Sequence, residues 1–217
     1  MPFLAWSEDA LELFTEYSDD TMARLWISHQ PVLLFPLFIF ARLSWSFESI
    51  RYPLHGNIKA STSVLDTLGI LIHFIWQFVL PLLWLSPSRA LCYFALSQSM
   101  GGFLLALVFV LNHSGRPVLN KDVLQTKGFY ELQVLTARDI DPSPFLDWIS
   151  GGLNYQIEHH LFPTLPRHNY HLVAPYVQEV CVKHQVHYHR TTFRQGMVEV
   201  LDRLRRVSRL AAKGGTK

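Results

Sequence analysis

Two uncharged apolar runs, separated by only four residues, constrain this chain more than any other feature. Leu68 to Leu85 and Ala90 to Asn112 contain no Asp, Glu, Lys or Arg. As helices rising about 1.5 Å per residue, they approach or exceed the roughly 30 Å of hydrocarbon in a bilayer. Backbone groups in that layer must be satisfied within their own segment, which selects helices over open strands. The connection Ser86-Pro87-Ser88-Arg89 is so short that the two helices must run antiparallel. The expected fold class is therefore all-α, built on an integral membrane helical hairpin over residues 68–112. Trp76, Trp84 and Tyr93 are placed to sit at its interfaces.

Composition agrees. Hydrophobic residues make up 49% of the 217 and charged residues only 17%, crowded towards the two ends, which excludes disorder and coiled coil. A net charge of +2 is too small for the basic face of a nucleic-acid binder, so membrane lipid is the expected partner and nucleic acid is not. The two cysteines, Cys92 and Cys181, form neither a disulfide framework nor a metal knuckle.

Met1 to Asp20 is acidic and lacks a basic n-region, so no signal peptide is expected. Leu11, Leu13, Phe14 and Tyr17 line one side of a short surface helix within residues 1–30. Pro31 to Ala41 is apolar but about half the length of a span, contains Pro36 and is closed by Arg42. These features favour a re-entrant or interfacial segment over residues 31–48, although a continuation through Trp45 and Phe47 would lengthen it into a membrane segment. Ser97 with Gly101, and Gly102 with Ala106, read as close-packing pairs. Beyond His113, residues 114–148 read as a soluble loop region. Leu153 to Leu161 reads as a helix that stops before Pro163, Tyr170 to His184 as an amphipathic helix, and Val186 to His189 as an extended piece. From Arg194 to Lys217, seven Lys/Arg face two acidic residues, as in a helix lying against anionic lipid or merely solvated. Residues 113–217 are thus expected to form a cytosolic helical cap.

Eleven histidines start the functional argument. In Gly151-Gly152-Leu153-Asn154-Tyr155-Gln156-Ile157-Glu158-His159-His160, positions 156, 159 and 160 fall at i, i+3 and i+4 of a helix. Gln156, His159 and His160 therefore share one face. Imidazole suits iron or zinc, and an amide oxygen can complete a hard site. The His-Glu-x-x-His order of metalloproteases is absent. His113 closes the last membrane run at its water-facing edge, where polar groups are functional suspects. His73 and Gln77, one turn apart, fit interhelical hydrogen bonding better than ligation. His168 and His171 flank a turn where a surface or supporting role competes evenly with ligation, solvation suits His184, His187 and His189, and His29 and His55 have no evident partner.

The string Gln156-Ile157-Glu158-His159-His160, with Leu161-Phe162-Pro163 and Pro166-Arg167-His168-Asn169, resembles the third histidine box of front-end fatty acid desaturases, most of all the fungal Δ6-type. Pro2-Phe3-Leu4-Ala5-Trp6-Ser7, Phe40-Ala41-Arg42-Leu43-Ser44-Trp45 and Leu111-Asn112-His113-Ser114-Gly115 resemble further family segments in family order. The resemblance implies an endoplasmic reticulum enzyme that uses O2, a di-iron centre and electrons from cytochrome b5 and its reductase to desaturate a fatty acyl-CoA or a phospholipid-linked acyl chain. It implies Gln156, His159, His160 and His113 as iron ligands; proximity in sequence alone adds Asn154, Asp139 and Arg138 as expected supporting residues, and the turn after Pro166 adds His168. In the family two further histidine boxes, and in many members a fused cytochrome b5 domain, precede the Pro-Phe-Leu-Ala-Trp segment, and neither is in this chain. The chain therefore reads as the C-terminal portion of an enzyme, inactive by itself. A sphingolipid long-chain-base desaturase and a non-catalytic truncated membrane protein are the alternatives. Because the earlier boxes must meet residues 156–160, an even number of crossings is expected between Pro31 and His113.

Overall fold

The computed structural model describes residues 4–16, 20–54 and 60–213. In chain order the elements are α1 (Glu8–Glu16), α2 (Asp20–Ser28), α3 (Gln30–Arg51), α4 (Ala60–Phe74), a π turn (Ile75–Val79), α5 (Leu80–Leu82), α6 (Pro87–His113), α7 (Lys121–Thr126), α8 (Phe129–Thr136), β1 (Asp139–Ile140), α9 (Pro144–Ser150), α10 (Gln156–Leu161), α11 (Tyr170–Lys183), β2 (Arg190–Thr191) and α12 (Phe193–Lys213). The class is all-α, as expected; among the described residues the one sheet is a two-residue parallel pair, Asp139 beside Arg190 and Ile140 beside Thr191. Among the described residues, three helices are long and apolar enough to cross a membrane: Gln30–Arg51, Val64–Leu82 and Pro87–His113.

The first of these differs from the sequence reading. The helix continues unbroken through Pro36, Arg42, Trp45 and Phe47 to 22 residues, about 33 Å. The shortness that favoured a re-entrant segment is therefore gone: a proline removes one bond from an i to i−4 ladder, and the apolar turns on either side carry the helix past it. α6 starts at Pro87, where a missing amide proton costs nothing.

The chain divides into two compact units. One, here the apolar unit, spans Leu34–Leu107; the other, the polar unit, joins the chain up to Leu33 with everything from Val108 onward. In the apolar unit, α6 lies against α3 at Gly102, where an added Cβ would meet the Phe38 carbonyl oxygen at 2.8 Å and the Arg42 nitrogen at 2.9 Å. Gly101 faces open space, so only one of the two expected small-residue pairs meets a neighbouring helix through its glycine. His73 and Gln77 do bond between helices: His73 Nε2 with Arg42 Nη2 at 3.2 Å, and Gln77 Nε2 to Ser97 Oγ at 2.7 Å. Phe78 and Phe94, ring centroids 4.0 Å apart, close the expected hairpin.

In the polar unit, α12 turns Val200, Leu204, Val207 and Ala211 inward. Val207 and Ala211 join Ala5 and Ile27 in one cluster, with Ala10 and Leu11 packed on it. Much of its apolar face is thus consumed inside the protein, and Arg194, Arg205, Arg206 and Arg209 are left outward beside exposed Val198 and Leu210. The fully buried Gln30 side chain receives the Ala5 amide at 3.0 Å and donates to the carbonyls of Ala5 and Leu204. The side chains of Leu13 and Phe14, together with Tyr17 and His55, lie outside the described residues. Residues 114–148, expected as loop, contain α7, α8 and α9. These helices have six to eight residues, too few to show a period, and caps define two of them: Asn120 accepts from the Val123 amide and Ser143 from the Leu146 amide.

Candidate metal centre

The helix of the histidine box is shorter than expected, beginning at Gln156 rather than Leu153. Gly151 and Gly152, at φ 59° and 82°, close α9 instead, with the Gly152 amide reaching back to the Asp147 carbonyl. A side chain at Gly152 would also meet the Arg167 carbonyl at 3.2 Å. Asn154 secures the turn: its Nδ2 donates to Asp147 Oδ1 at 2.7 Å, its Oδ1 accepts from Ser150 Oγ, and its carbonyl accepts the Ile140 amide.

On α10, His159 and His160 stand half-exposed beside buried Gln156. His160 Nδ1 lies 2.6 Å from Gln133 Oε1 on α8, and this oxygen only accepts, so the ring carries its proton on Nδ1 and leaves the Nε2 lone pair free. His159 Nδ1 pairs with the buried Tyr170 hydroxyl at 3.1 Å. Holding one ring nitrogen by a hydrogen bond while the other is free is how proteins orient metal-binding imidazoles. The His113 ring, at the end of α6, lies 5.2 Å from that of His160, and the His159 and His160 rings are 5.8 Å apart. Burial, followed by the Arg167 charge, lowers the pKa of His159; burial, followed by His113 and His159, lowers that of His160. Both shifts favour the neutral, ligating form.

Gln156 is placed at the centre but turned. Its Oε1 accepts from Asn112 Nδ2 at 3.1 Å, and its Nε2 faces His113 Nε2 at 3.0 Å. Asn112 is itself fixed by donating to the Leu153 carbonyl at 2.7 Å. The amide thus bridges two residues at the end of α6.

Beneath the box lies a carboxylate pair. Asp139 Oδ1 accepts the Ile157 amide at 2.9 Å, and the Tyr188 hydroxyl bonds both Asp139 Oδ2 and Glu158 Oε1. One hydroxyl has one proton, so it donates to Asp139 while a protonated Glu158 donates to it. Burial, followed by the Asp139 charge, pushes Glu158 up to about 9, and burial also raises Asp139 and Tyr188.

Of the other expected supporting residues, Arg138 is fully buried away from solvent, and its bonds go elsewhere. It donates to the carbonyls of Leu111, Ser114 and Gly196 and pairs with Glu199 at 3.1 Å, tying the end of α6 to α12. His168 is exposed on a 3-10 turn (Arg167–Asn169) without a bond to the cluster. His189 meets Glu199 at 3.0 Å rather than solvent alone. Gln133, Tyr170, Tyr188 and Asn112 escaped the sequence reading, since nothing in local spacing ties them to a box up to 44 residues away.

The donors fit iron in kind, with imidazole nitrogens and an amide. They do not fit it in number: among the described residues, no group of three His, Cys, Asp or Glu is disposed to hold a metal ion.

The fatty acid desaturase family model matches residues 7–192. The chain is 38% identical over 214 residues to the acyl-lipid (9-3)-desaturase of Physcomitrium patens, covering 98% of this chain and 39% of that protein. It is 33% identical to the Delta(5) fatty acid desaturase fat-4 of Caenorhabditis elegans, covering 98% and 48%, and 31% identical to the Delta(8)-fatty-acid desaturase of Euglena gracilis, covering 98% and 51%. The chain thus spans about half or less of the length of these relatives. No solved structure matches it. Together with a histidine box whose rings are already oriented from behind, the matched span of 7–192 leads to one conclusion: the chain belongs to the fatty acid desaturase family.

Proposed function

We propose that the complete protein is a front-end desaturase that introduces a cis double bond at the Δ6 position of a fatty acyl chain carried by coenzyme A or a phospholipid. One observation carries this reading: in a chain of this family, His159 and His160 stand side by side with Nδ1 engaged from behind, beside the His113 ring. Two adjacent methylenes lose their hydrogens, while O2, two electrons and two protons yield two waters. Iron held in the complete protein and reduced through cytochrome b5 would supply the oxidising power that no side chain has. His159 and His160 would hold it through Nε2, while Gln133 and Tyr170 keep the rings from rotating. Gln156 would add its oxygen only if its amide turned over, because Nε2 faces His113. The remaining donors come from outside these residues, so this chain alone does not turn over.

The test is linoleate feeding of yeast that supplies cytochrome b5. The chain alone should form no new double bond, and a fusion behind a family N-terminal half should form one that His159→Ala and His160→Ala abolish. Wild-type product from either variant would remove that histidine from the ligand set, and product from the chain alone would overturn the shared-site reading.

Location follows by parity. α3 begins and α6 ends in the polar unit, whose α12 is bonded both to Gln30 and, through Arg138, to Leu111. An even number of the three long helices therefore crosses the endoplasmic reticulum membrane, α6 among them, with the polar unit in the cytosol. A cysteine at Ser88 should react only with lumenal reagent and one at Thr126 only with cytosolic reagent; labelling of both from one side would refute the arrangement.

A further inference from the structure

The apolar unit holds two opposite charges that face one space and do not meet. Arg42 lies inside α3, and its guanidinium donates to His73 Nε2 on α4 at 3.2 Å, a neutral partner. Asp66, seven residues before His73 on α4, has no hydrogen bond or ion pair among the described residues. Both line a cavity of about 700 Å³ between α3 and α4. The third charge there, Glu48, is already paired with Arg51 at 3.1 Å. A cation and an anion on apolar helices, each without a counter-charge, are costly to maintain and mark a site for something that satisfies both.

The spacing describes that ligand. Seven residues of helix, about 10 Å, separate the level of the Arg42–His73 contact from Asp66. A simple anion would satisfy Arg42 and leave Asp66 facing like charge. A molecule with an anionic phosphate and an amine two carbons away satisfies both ends. Arg42 offers the planar donor fork suited to phosphate, and His73, whose Nε2 accepts from Arg42, has its Nδ1 proton left to donate. At the other end Asp66 accepts the ammonium, and the rings of Trp45 and Tyr52, which also line the cavity, offer faces to a quaternary amine.

We propose that this cavity binds the headgroup of one zwitterionic phospholipid, its phosphate on Arg42 and His73 and its amine on Asp66. The site needs no metal and so stands apart from the desaturase reading. The test is native mass spectrometry of the full chain, exchanged in nanodiscs into equal phosphatidylcholine and phosphatidylglycerol and then stripped by detergent. Wild type should retain one phosphatidylcholine per chain, at least about tenfold in preference to phosphatidylglycerol. Arg42→Gln should lose about tenfold of the retained lipid at unchanged helix content. Asp66→Asn should still retain a lipid but without the preference, a change of selectivity that misfolding cannot produce. Equal retention of both lipids by wild type, no retained lipid, or an unchanged preference in Asp66→Asn would each overturn the proposal.

Discussion

The two units differ in how much they take out of solvent: the polar unit holds most of the buried residues, apolar and polar alike. The polar unit takes Gln30, Arg138, Asp139 and Glu158 almost entirely out of solvent and gives each a partner, leaving only Arg138 Nε and Glu158 Oε2 of their buried side-chain atoms unbonded among the described residues. Arg138 alone reaches three carbonyls and a carboxylate. The apolar unit leaves Leu65, Leu71, Trp76, Leu96 and many similar side chains outward, and the Val64–Leu82 window has no buried residue at all. Outward leucines are tolerated where lipid is the solvent, so no large inward core is demanded there. The contrast teaches where cohesion resides. In the polar unit it lies in apolar clusters together with bonds to buried polar and charged groups, and in the apolar unit in backbone approach and a few interhelical bonds.

The sharpest way to break this contrast is Arg138→Met. It removes the donor from three carbonyls and leaves Glu199 with His189 as its remaining ion-pair partner, which should cost about 3–5 kcal/mol. Hydrogen exchange should show lost protection in α12 and unchanged protection in α4; equal loss in both would mean that the units do not hold themselves together separately. The counterpart is Gly102→Leu, which forces a side chain into the Phe38 and Arg42 backbone and should cost about 1–3 kcal/mol. Here α3 and α6 residues of the apolar unit should lose protection while α12 keeps it, and a silent substitution would show that close approach contributes nothing.

The carboxylate pair sharpens the comparison through pH. Glu158 has its folded pKa raised to about 9, above the ordinary carboxylate value, so the folded state holds a proton that the unfolded chain releases. The stability this contributes is complete at acid pH and is lost as pH rises through the folded value, with a slope of up to about 1.4 kcal/mol per pH unit. Thermal unfolding between pH 5 and pH 9 should show this decline in wild type and a flatter profile in Glu158→Gln. Identical profiles would place the proton elsewhere. The smallest effect on stability is expected for Gln133→Leu, which frees the His160 ring without disturbing the buried charges. Cobalt(II) affinity of the complete enzyme should fall about tenfold, and Gln133→Glu should restore it; equal affinity in Gln133→Leu would reduce Gln133 to a bystander.

Much of the fold was legible because its determinants are local. A helix long enough for a bilayer announces itself by an uninterrupted run, as in Leu68–Leu85 and Ala90–Asn112, and a shared helix face by the spacing of Gln156, His159 and His160. Local reasoning failed where the period was too short to read, as in α7 to α9, and it closed the first apolar run at Arg42, where α3 continues to Arg51.

What the sequence determined by itself was the class, the apolar helices, the box and the family likeness. Only the tertiary structure decided which way each ring nitrogen faces and what backs it. Gln133 and His160 are 27 residues apart, Asp139 and Tyr188 49, Gln30 and Leu204 174. A buried polar group must find a partner, but its chemistry does not say which, and the choice falls to whatever the packing of apolar faces brings within 3 Å. Hydrophobic period is a property of neighbours along the chain, whereas hydrogen-bond satisfaction in a core is a property of neighbours in space.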